Sequence, residues 1–222
     1  VAVLSDQNGY FDINILDAMT GEKIKKLIKG NRGVDFEELK WLQPGLSWSP
    51  DSKKIVFAAK AGKGDVLHVV EVETGKGEKY ELDIEGVFSA SWSPLGNEIA
   101  YVGQSGNSSD IYIFDLNSQI SKKITDDIFS DAYPTWSGDG KNIAFVSDRG
   151  NKVSGEYDGF MYEHDYSQTD IYSVNVETKK IDRVTNTNHN ESHPVWSKTS
   201  DNIFYTSDHN GVWNLYRHPI SG

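Results

Sequence analysis

The chain has 222 residues, a net charge of −11 at pH 7 and no cysteine, and aromatic residues make up 12% of it. The length suits one large domain or two small ones, the acidic balance argues against a nucleic-acid partner, and the absence of cysteine excludes disulfides, thiol catalysis and cysteine-ligated zinc. No apolar run approaches ~18 residues, so the sequence predicts no membrane-inserted segment.

The chain opens with a predicted strand, residues 1–4, that has no tryptophan before it. The next strand begins at Asp12 and corresponds to the third strand of the later units, and a Thr-Gly turn leads from it to a more polar strand that ends near Leu27. The segment that follows, 31–45, lengthens the link to the next unit, and its Phe-Glu-Glu-Leu stretch (36–39) predicts a single helical turn.

From Trp48 onward a twelve-residue pattern recurs four times. The copies read WSPDSKKIVFAA, WSPLGNEIAYVG, WSGDGKNIAFVS and WSKTSDNIFYTS, and they begin at Trp48, Trp92, Trp136 and Trp196. Pro, Asp and Gly after the Trp-Ser pair are typical of a type I turn. The apolar run that follows does not alternate with polar residues, which predicts a strand buried on both faces.

A third strand opens on Asp or Asn in every unit, and a more polar strand closes the unit. The opening residues are Asp12, Asp65, Asp110, Asp170 and Asn214. Four short antiparallel strands, repeated without a helix, are typical of a β-propeller blade. We therefore predict an all-β propeller, as a single domain whose units span about 1–45, 46–89, 90–133, 134–193 and 194–222.

The first and last of these five units are each one strand short. The first unit lacks the strand that carries Trp, and the fifth lacks its outer strand. Neither end offers the strand that the other needs, so we expect the chain to be a fragment of a six- to eight-bladed ring. A five-bladed ring with two three-stranded blades is the alternative.

The repeat W-S-P-D-G-x-x-I-A-F-x-S, followed by D-I-Y, resembles the TolB-type propeller repeat, from which Leu95 and Lys198-Thr199 depart. No Trp-Asp dipeptide or Gly-His pair of the WD type closes the units. The resemblance covers essentially the whole chain. Relatives of this kind include periplasmic TolB, the propellers of tricorn-like and prolyl-oligopeptidase-type proteases, and bacterial surface proteins. It therefore implies a location in the periplasm or cell envelope of a bacterium.

The insertion at 149–169 is the largest departure from the repeat period. Repeats diverge where function is added, and aromatic and acidic residues on one loop suit a cationic, sugar-like or peptide ligand. The candidate binding residues in this loop are Tyr157, Phe160, Tyr162, His164 and Tyr166. The alternative is a long hairpin that packs on its own aromatic residues.

A second candidate site lies at the start of the Trp-bearing strands, which should ring one mouth of a central channel. Five and three residues before the third and fourth Trp stand Asp131, Tyr133, Glu191 and His193. Such a group suits a small ligand or a cation, and a solvated channel lining is the alternative. His189 and His193 lie four residues apart in a predicted loop, so the spacing indicates no metal site. We predict neither a metal nor a cofactor.

The function predicted first is a non-catalytic scaffold that binds a protein or peptide partner. The second hypothesis is an accessory propeller that docks or gates substrates for other domains of a larger protease or surface protein. The third is a propeller enzyme acting on carbohydrate, for which only Asp131 and Glu191 could supply paired carboxylates. The sequence has no G-x-S-x-G, Walker or H-E-x-x-H motif, which favours the scaffold.

Overall fold

The computed structural model describes residues 1–6, 11–30, 38–39, 45–61, 64–152, 164–199 and 201–220. In these residues it contains nineteen strands and a short 3-10 turn at His209–Gly211. The strands are β1 (Ala2–Ser5), β2 (Asp12–Leu16), β3 (Lys23–Ile28), β4 (Glu38–Leu39), β5 (Ser47–Trp48), β6 (Lys54–Ala61), β7 (Gly64–Glu71), β8 (Gly77–Glu81), β9 (Gly86–Trp92), β10 (Glu98–Ser105), β11 (Ser108–Asp115), β12 (Ile120–Lys123), β13 (Asp131–Trp136), β14 (Asn142–Ser147), β15 (Asp170–Asn175), β16 (Ile181–Arg183), β17 (Glu191–Trp196), β18 (Asn202–Ser207) and β19 (Asn214–Pro219). None of the described residues belongs to a helix long and apolar enough to cross a membrane.

The strands form five antiparallel sheets in chain order, which we call blades 1 to 5. Blade 1 consists of β1–β3, blade 2 of β4–β8, blade 3 of β9–β12, blade 4 of β13–β16 and blade 5 of β17–β19. Within each blade, strands that follow one another along the chain pair as hairpins, except that β4 pairs with β6 and not with β5. The predicted all-β propeller is confirmed, with three strands in the first and last blades. Its membership of a six- to eight-bladed ring stays a prediction.

One local prediction was wrong. The Phe-Glu-Glu-Leu stretch was expected to make a helical turn, but Glu38 and Leu39 form β4 and pair with Lys60 and Ala59 of β6. The edge of β6 offers unpaired backbone groups at this point, and satisfying them outweighs a weak local helix preference.

The aspartate that opens the third strand holds the end of its own blade together. In three blades it makes an ion pair with a cation of the outermost strand, and the pairs are Asp12–Lys26, Asp110–Lys123 (2.9 Å) and Asp170–Arg183 (2.5 Å). In blade 2 the carboxylate of Asp65 accepts a hydrogen bond from the backbone N–H of Val87 in the next blade (2.9 Å). The aspartate of the D-I-Y part of the repeat therefore stabilises the blades.

The hydrophobic core is divided into four layers, each between two neighbouring blades. The layer between blades 3 and 4, for example, contains Ala100, Val102, Ile111 and Ile113 on one side and Trp136, Ile143, Phe145 and Tyr172 on the other. Burying each large side chain contributes about 1.5–3 kcal/mol to folding. The central strands have apolar residues on both faces because a blade covers each face.

Blade 5 has one face that no described blade covers. Ile203 and Tyr205 pack against blade 4, whereas Leu215 and Val195, which point the other way, are 71% and 58% exposed. Ile171 occupies the position of Leu215 in blade 4 and is fully buried. The apolar pattern of the repeat therefore continues on this exposed face.

His68 is a buried histidine on β7, in the middle of blade 2. Its ring centroid is 5.0 Å from that of Phe57. Burial lowers its pKa to about 4, so the imidazole is neutral at physiological pH.

Candidate functional site at the channel mouth

Each innermost strand contains an irregularity three residues before its Trp. The strand register shifts there in β9, β13 and β17, as in a β-bulge. The residues at this position all have positive φ: Gly45 (62°), Ser89 (50°), Tyr133 (53°) and His193 (50°). Left-handed backbone is uncommon for residues other than glycine, and a bulge re-aims the side chain that it carries.

The glycine at this position shows how closely the innermost strands approach each other. A Cβ built on Gly45 would lie 2.1 Å from the backbone N of Ala90 and 2.4 Å from the backbone C of Ser89. These atoms belong to the bulge of blade 3, so the bulges of blades 2 and 3 are in direct contact. Blade 2 accepts only glycine here.

In blades 4 and 5 the bulge residues are Tyr133 and His193, and their rings come together. The two ring centroids are 4.2 Å apart, with an interplanar angle of 34°. His193 is exposed and Tyr133 is half-buried. Partial burial lowers the pKa of His193, which favours the neutral imidazole. Tyr133 also packs against the core between blades 4 and 5, and the pair combines a phenol with an imidazole.

Asp131 is enclosed in the junction between blades 3 and 4. Its carboxylate accepts a hydrogen bond from Nη2 of Arg149 (2.6 Å), and Nη1 of the same guanidinium contacts Asp127 (2.8 Å). Burial raises the pKa of Asp131, and the charge of Arg149 opposes this shift. Because Asp131 is only 1% exposed, its negative charge pairs with Arg149 inside the protein and does not face solvent.

Arg149 is the residue that sequence reasoning missed, since it was noted only as the start of the insertion. It is 2% exposed, and its Nε donates to the hydroxyl of Ser147 (3.0 Å). Three aromatic rings surround the guanidinium with centroids 5.3–5.7 Å from Cζ: Phe129, Phe145 and Tyr172. The signal was an arginine two residues after the buried strand β14, with Asp131 at the start of the neighbouring strand β13 and Asp127 in the loop before it.

Glu191 occupies the position of Asp131 in the next blade but has different partners. The hydroxyls of Thr187 and Thr185 donate to its two carboxylate oxygens (2.5 and 3.1 Å). Where blade 4 has Arg149, blade 5 has His209, and no ion pair among the described residues involves Glu191. Burial raises the pKa of Glu191 to about 7, and the threonine hydroxyls only partly oppose the shift.

The insertion meets this region through its C-terminal end. Nε2 of His164 lies 3.3 Å from a carboxylate oxygen of Asp148, and its ring centroid is 5.2 Å from that of Phe129. Tyr166 makes an edge-on contact with His164 and is 58% exposed. The candidate residues Tyr157, Phe160 and Tyr162 lie outside the described residues.

The structure therefore brings some of the predicted site residues together and separates others. Tyr133 and His193 form one open pair, Asp131 and Glu191 are buried in two different blade junctions, and His164 lies on Phe129 beside Arg149. No three His, Asp or Glu side chains converge as metal ligands in the part of the chain that the structure describes. That these residues bind a ligand stays a prediction.

Comparison with known proteins supports the same fold. The TolB beta propeller domain family matches residues 30–154, which is more than half of the chain. Acinetobacter baumannii TolB superposes with a TM-score of 0.69 at 20% identity, over 98% of this chain and 51% of that one. No curated protein has a sequence that matches this chain.

Two further structures extend the comparison. A protein assigned as TolB from Agrobacterium tumefaciens gives a TM-score of 0.68 at 19% identity, over 93% of this chain and 65% of its own. A prolyl endopeptidase gives a TM-score of 0.58 at 17% identity, over 97% of this chain and 33% of its own. The chain thus spans between about half and two thirds of the length of the two TolB structures.

Proposed function

This chain belongs to the TolB β-propeller domain family, and on that premise we propose that it is a non-catalytic scaffold that binds a protein or peptide partner. The single observation that carries the proposal is the close Tyr133–His193 ring contact, which we place at the channel mouth. Aromatic side chains on a rigid strand bring large contact area at low entropic cost, and they dominate many binding surfaces. The partner would contact the rim of blades 4 and 5.

The surroundings of the two acidic residues support a binding role over a catalytic one. A glycan-cleaving site would need Asp131 and Glu191 to face one substrate as a pair of carboxylates. Instead, Arg149 occupies the first and two threonine hydroxyls occupy the second, each in its own blade junction. Carboxylates buried in two separate blade junctions are poorly placed to act together on one substrate.

The insertion is the second part of the proposed binding surface. His164 and Tyr166 place its C-terminal end beside Phe129, and Phe129 also contacts Arg149 at the blade 3–blade 4 junction. The surface proposed for the partner therefore includes Tyr133, His193 and the aromatic residues of the insertion, Tyr157, Phe160, Tyr162 and Tyr166. The net charge of −11 favours a partner that is not a nucleic acid.

A second candidate function is an accessory propeller that docks peptides for another domain. The fold similarity to a prolyl endopeptidase, of which the chain matches 33%, supports this possibility. Both candidate functions place the binding surface on the same rim of blades 4 and 5. They differ in the kind of protein to which the propeller would belong. For either one we propose an extracytoplasmic location in a bacterium, in line with membership of the TolB family.

The experiment compares capture by the unmodified chain and by a variant that removes the ring pair. Tyr133→Ser combined with His193→Ser copies Ser89, which occupies the same left-handed position in blade 3 and should preserve the fold. Ile120→Ser, an exposed change on β12, is the matched control. Each immobilised chain is incubated with an envelope extract of the source bacterium, and the bound proteins are identified by mass spectrometry.

The proposal expects proteins that bind the unmodified chain and the control but are lost with the double variant. A variant with residues 153–163 replaced by a short Gly-Ser linker tests the insertion in the same assay. If the double variant and the linker variant both retain every bound protein, the channel-mouth surface is not the binding site.

A further inference from the structure

A cavity of about 560 Å³ opens at the junction of blades 4 and 5, beside the C-terminal end of β17. Glu191 begins this strand and Trp196 ends it, so the cavity lies at the opposite end of the blades from the proposed channel mouth. The turns after β13 and β17 and the middle of β15 line it, through Ser137, Gly138, Asp139, Ser173, Lys198 and Thr199. The two turns approach each other closely, since a Cβ on Gly138 would lie 3.5 Å from the backbone O of Lys198.

Trp196 places an unpartnered hydrogen-bond donor in this cavity. The residue is only 9% exposed, and its indole N–H makes no hydrogen bond to any residue that the structure describes. The equivalent tryptophans do find acceptors, since Trp92 donates to the carbonyl of Gly96 (3.0 Å) and Trp136 to that of Ser91 (3.1 Å). Buried donors without a partner are rare because they are costly. This donor therefore points to an acceptor that is held in the cavity.

Blades 4 and 5 also depart from the repeat at the walls of this cavity. The strand register places Ser173 where the other blades have a buried β-branched residue, namely Ile15, Val69 and Ile113. The hydroxyl of Ser173 makes no hydrogen bond to any described residue. Lys198 and Thr199 replace the Pro-Asp, Pro-Leu and Gly-Asp pairs of the other turns. The repeat is thus altered toward polar side chains at this one junction.

The turn between β17 and β18 adds one charge of each sign. Lys198 and Asp201 both line the cavity, and neither forms an ion pair with any residue in the described part of the chain. The other acids of the lining are engaged: Asp182 pairs with Lys180 (2.7 Å), and Asp139 accepts hydrogen bonds within its own turn. A cavity with a cation and an anion three residues apart is complementary to a ligand that carries both charges.

We propose that this cavity binds a small zwitterion, either an α-amino acid or a dipeptide. The ligand carboxylate accepts the indole N–H of Trp196 and pairs with the ammonium of Lys198, while the ligand ammonium pairs with Asp201. Only the N–H edge of Trp196 takes part, because its ring packs in the core between blades 4 and 5. The volume is within the range of small-molecule sites. This site is separate from the surface proposed for the protein partner.

The test is an NMR titration of the whole chain with L-alanine and with L-alanyl-L-alanine, followed at the indole N–H resonance of Trp196. Trp196→Phe identifies that resonance by its loss. A downfield shift of the indole proton is expected, with Kd on the order of 1 mM for this open cavity. The tighter of the two ligands shows whether the site takes a free amino acid or a dipeptide. Lys198→Met and Asp201→Asn should each weaken binding about fivefold or more, and Ser173→Val, which copies Val69, about threefold.

Two blocked ligands and one variant are the controls. N-acetylalanine lacks the ammonium and alaninamide lacks the carboxylate, so each should bind at least about fivefold more weakly than L-alanine. Lys53→Met removes an equally exposed lysine from the corresponding turn of blade 2 and should leave the affinity unchanged.

Three outcomes would overturn the proposal. The first is no shift of the Trp196 indole resonance with either zwitterion up to about 50 mM. The second is equal affinity for L-alanine and both blocked ligands. The third is unchanged affinity in both Lys198→Met and Asp201→Asn, whose exposed side chains make these variants informative even if Ser173→Val lowers stability.

Discussion

The ring centroids of Tyr133 and His193 lie 4.2 Å apart although the residues belong to different blades and both have left-handed backbone. Ser89 and Gly45 hold the same position in blades 3 and 2, so the fold itself requires no ring there. Two bulky residues are therefore kept in a costly conformation at the bulges of two adjacent innermost strands. Strain of this kind concentrates at functional sites.

The first prediction separates this backbone cost from the loss of the ring contact. His193→Asn and His193→Val both remove the imidazole, but asparagine tolerates positive φ and a β-branched residue does not. The valine variant should be less stable than the asparagine variant by about 1–2 kcal/mol. Urea denaturation followed by tryptophan fluorescence measures the difference. Equal stability of the two variants would show that the backbone at this position leaves the positive-φ region once His193 is replaced.

The second prediction concerns the buried guanidinium of Arg149. Arg149→Met leaves Asp131 and Asp127 without their cation and should lower the free energy of unfolding by about 3–5 kcal/mol. Arg217→Met, at an exposed arginine of β19, is the matched control and should change it by less than about 0.5 kcal/mol. Adding Asp131→Asn to Arg149→Met should recover part of the loss in the same denaturation assay. No recovery would mean that the loss comes from packing and not from the unpaired charge.

The third prediction uses two glycines that share a positive φ but differ in their surroundings. Gly45→Ala pushes a Cβ into the backbone of Ser89 and Ala90, whereas the same atom on Gly21 (φ 73°) meets nothing within 4 Å. Gly21→Ala should cost about 1 kcal/mol from φ alone. Gly45→Ala should cost about 3 kcal/mol or more, because backbone atoms cannot move aside without shifting a blade. Thermal unfolding of the two variants side by side tests the difference.

The fourth prediction is a pH dependence of stability. The folded pKa of Glu191, about 7, lies above its ordinary value of 4.5, so the unfolded chain loses this proton more readily. The contribution to stability is complete below pH 4.5 and is lost as pH rises through 7. Glu191→Gln cannot ionise, so the wild type should lose about 2 kcal/mol relative to this variant between pH 5 and pH 8.

Denaturant titrations of both proteins at the two pH values provide the measurement. If the difference in unfolding free energy between the two proteins is the same at pH 5 and at pH 8, Glu191 is already ionised in the folded state at pH 5. His209→Arg extends the test, since it copies Arg149 into blade 5. If the new guanidinium reaches Glu191, it should lower the pKa of that carboxyl and flatten the wild-type pH dependence.

The blades, their strand order and their doubly buried central strands could all be predicted from the chain alone. The reason is that a blade is local: its strands follow one another as hairpins, and Trp48, Ile55 and their repeats mark the same places in each unit. Turn residues and apolar runs determine the structure of only a few neighbouring residues, so each strand and turn can be predicted in chain order from the sequence.

The candidate site depended on contacts between units, which no local pattern encodes. Asp131 and Glu191 were expected at the channel mouth on equal terms, yet the first is paired with Arg149 of its own blade and the second with threonines of the preceding loop. Tyr133 and His193 face each other only because two bulges re-aim their side chains, and a bulge leaves no signature in residue type. Charge pairs such as Asp131–Arg149 and ring contacts such as Tyr133–His193 follow from distances in space, which only the packed blades determine.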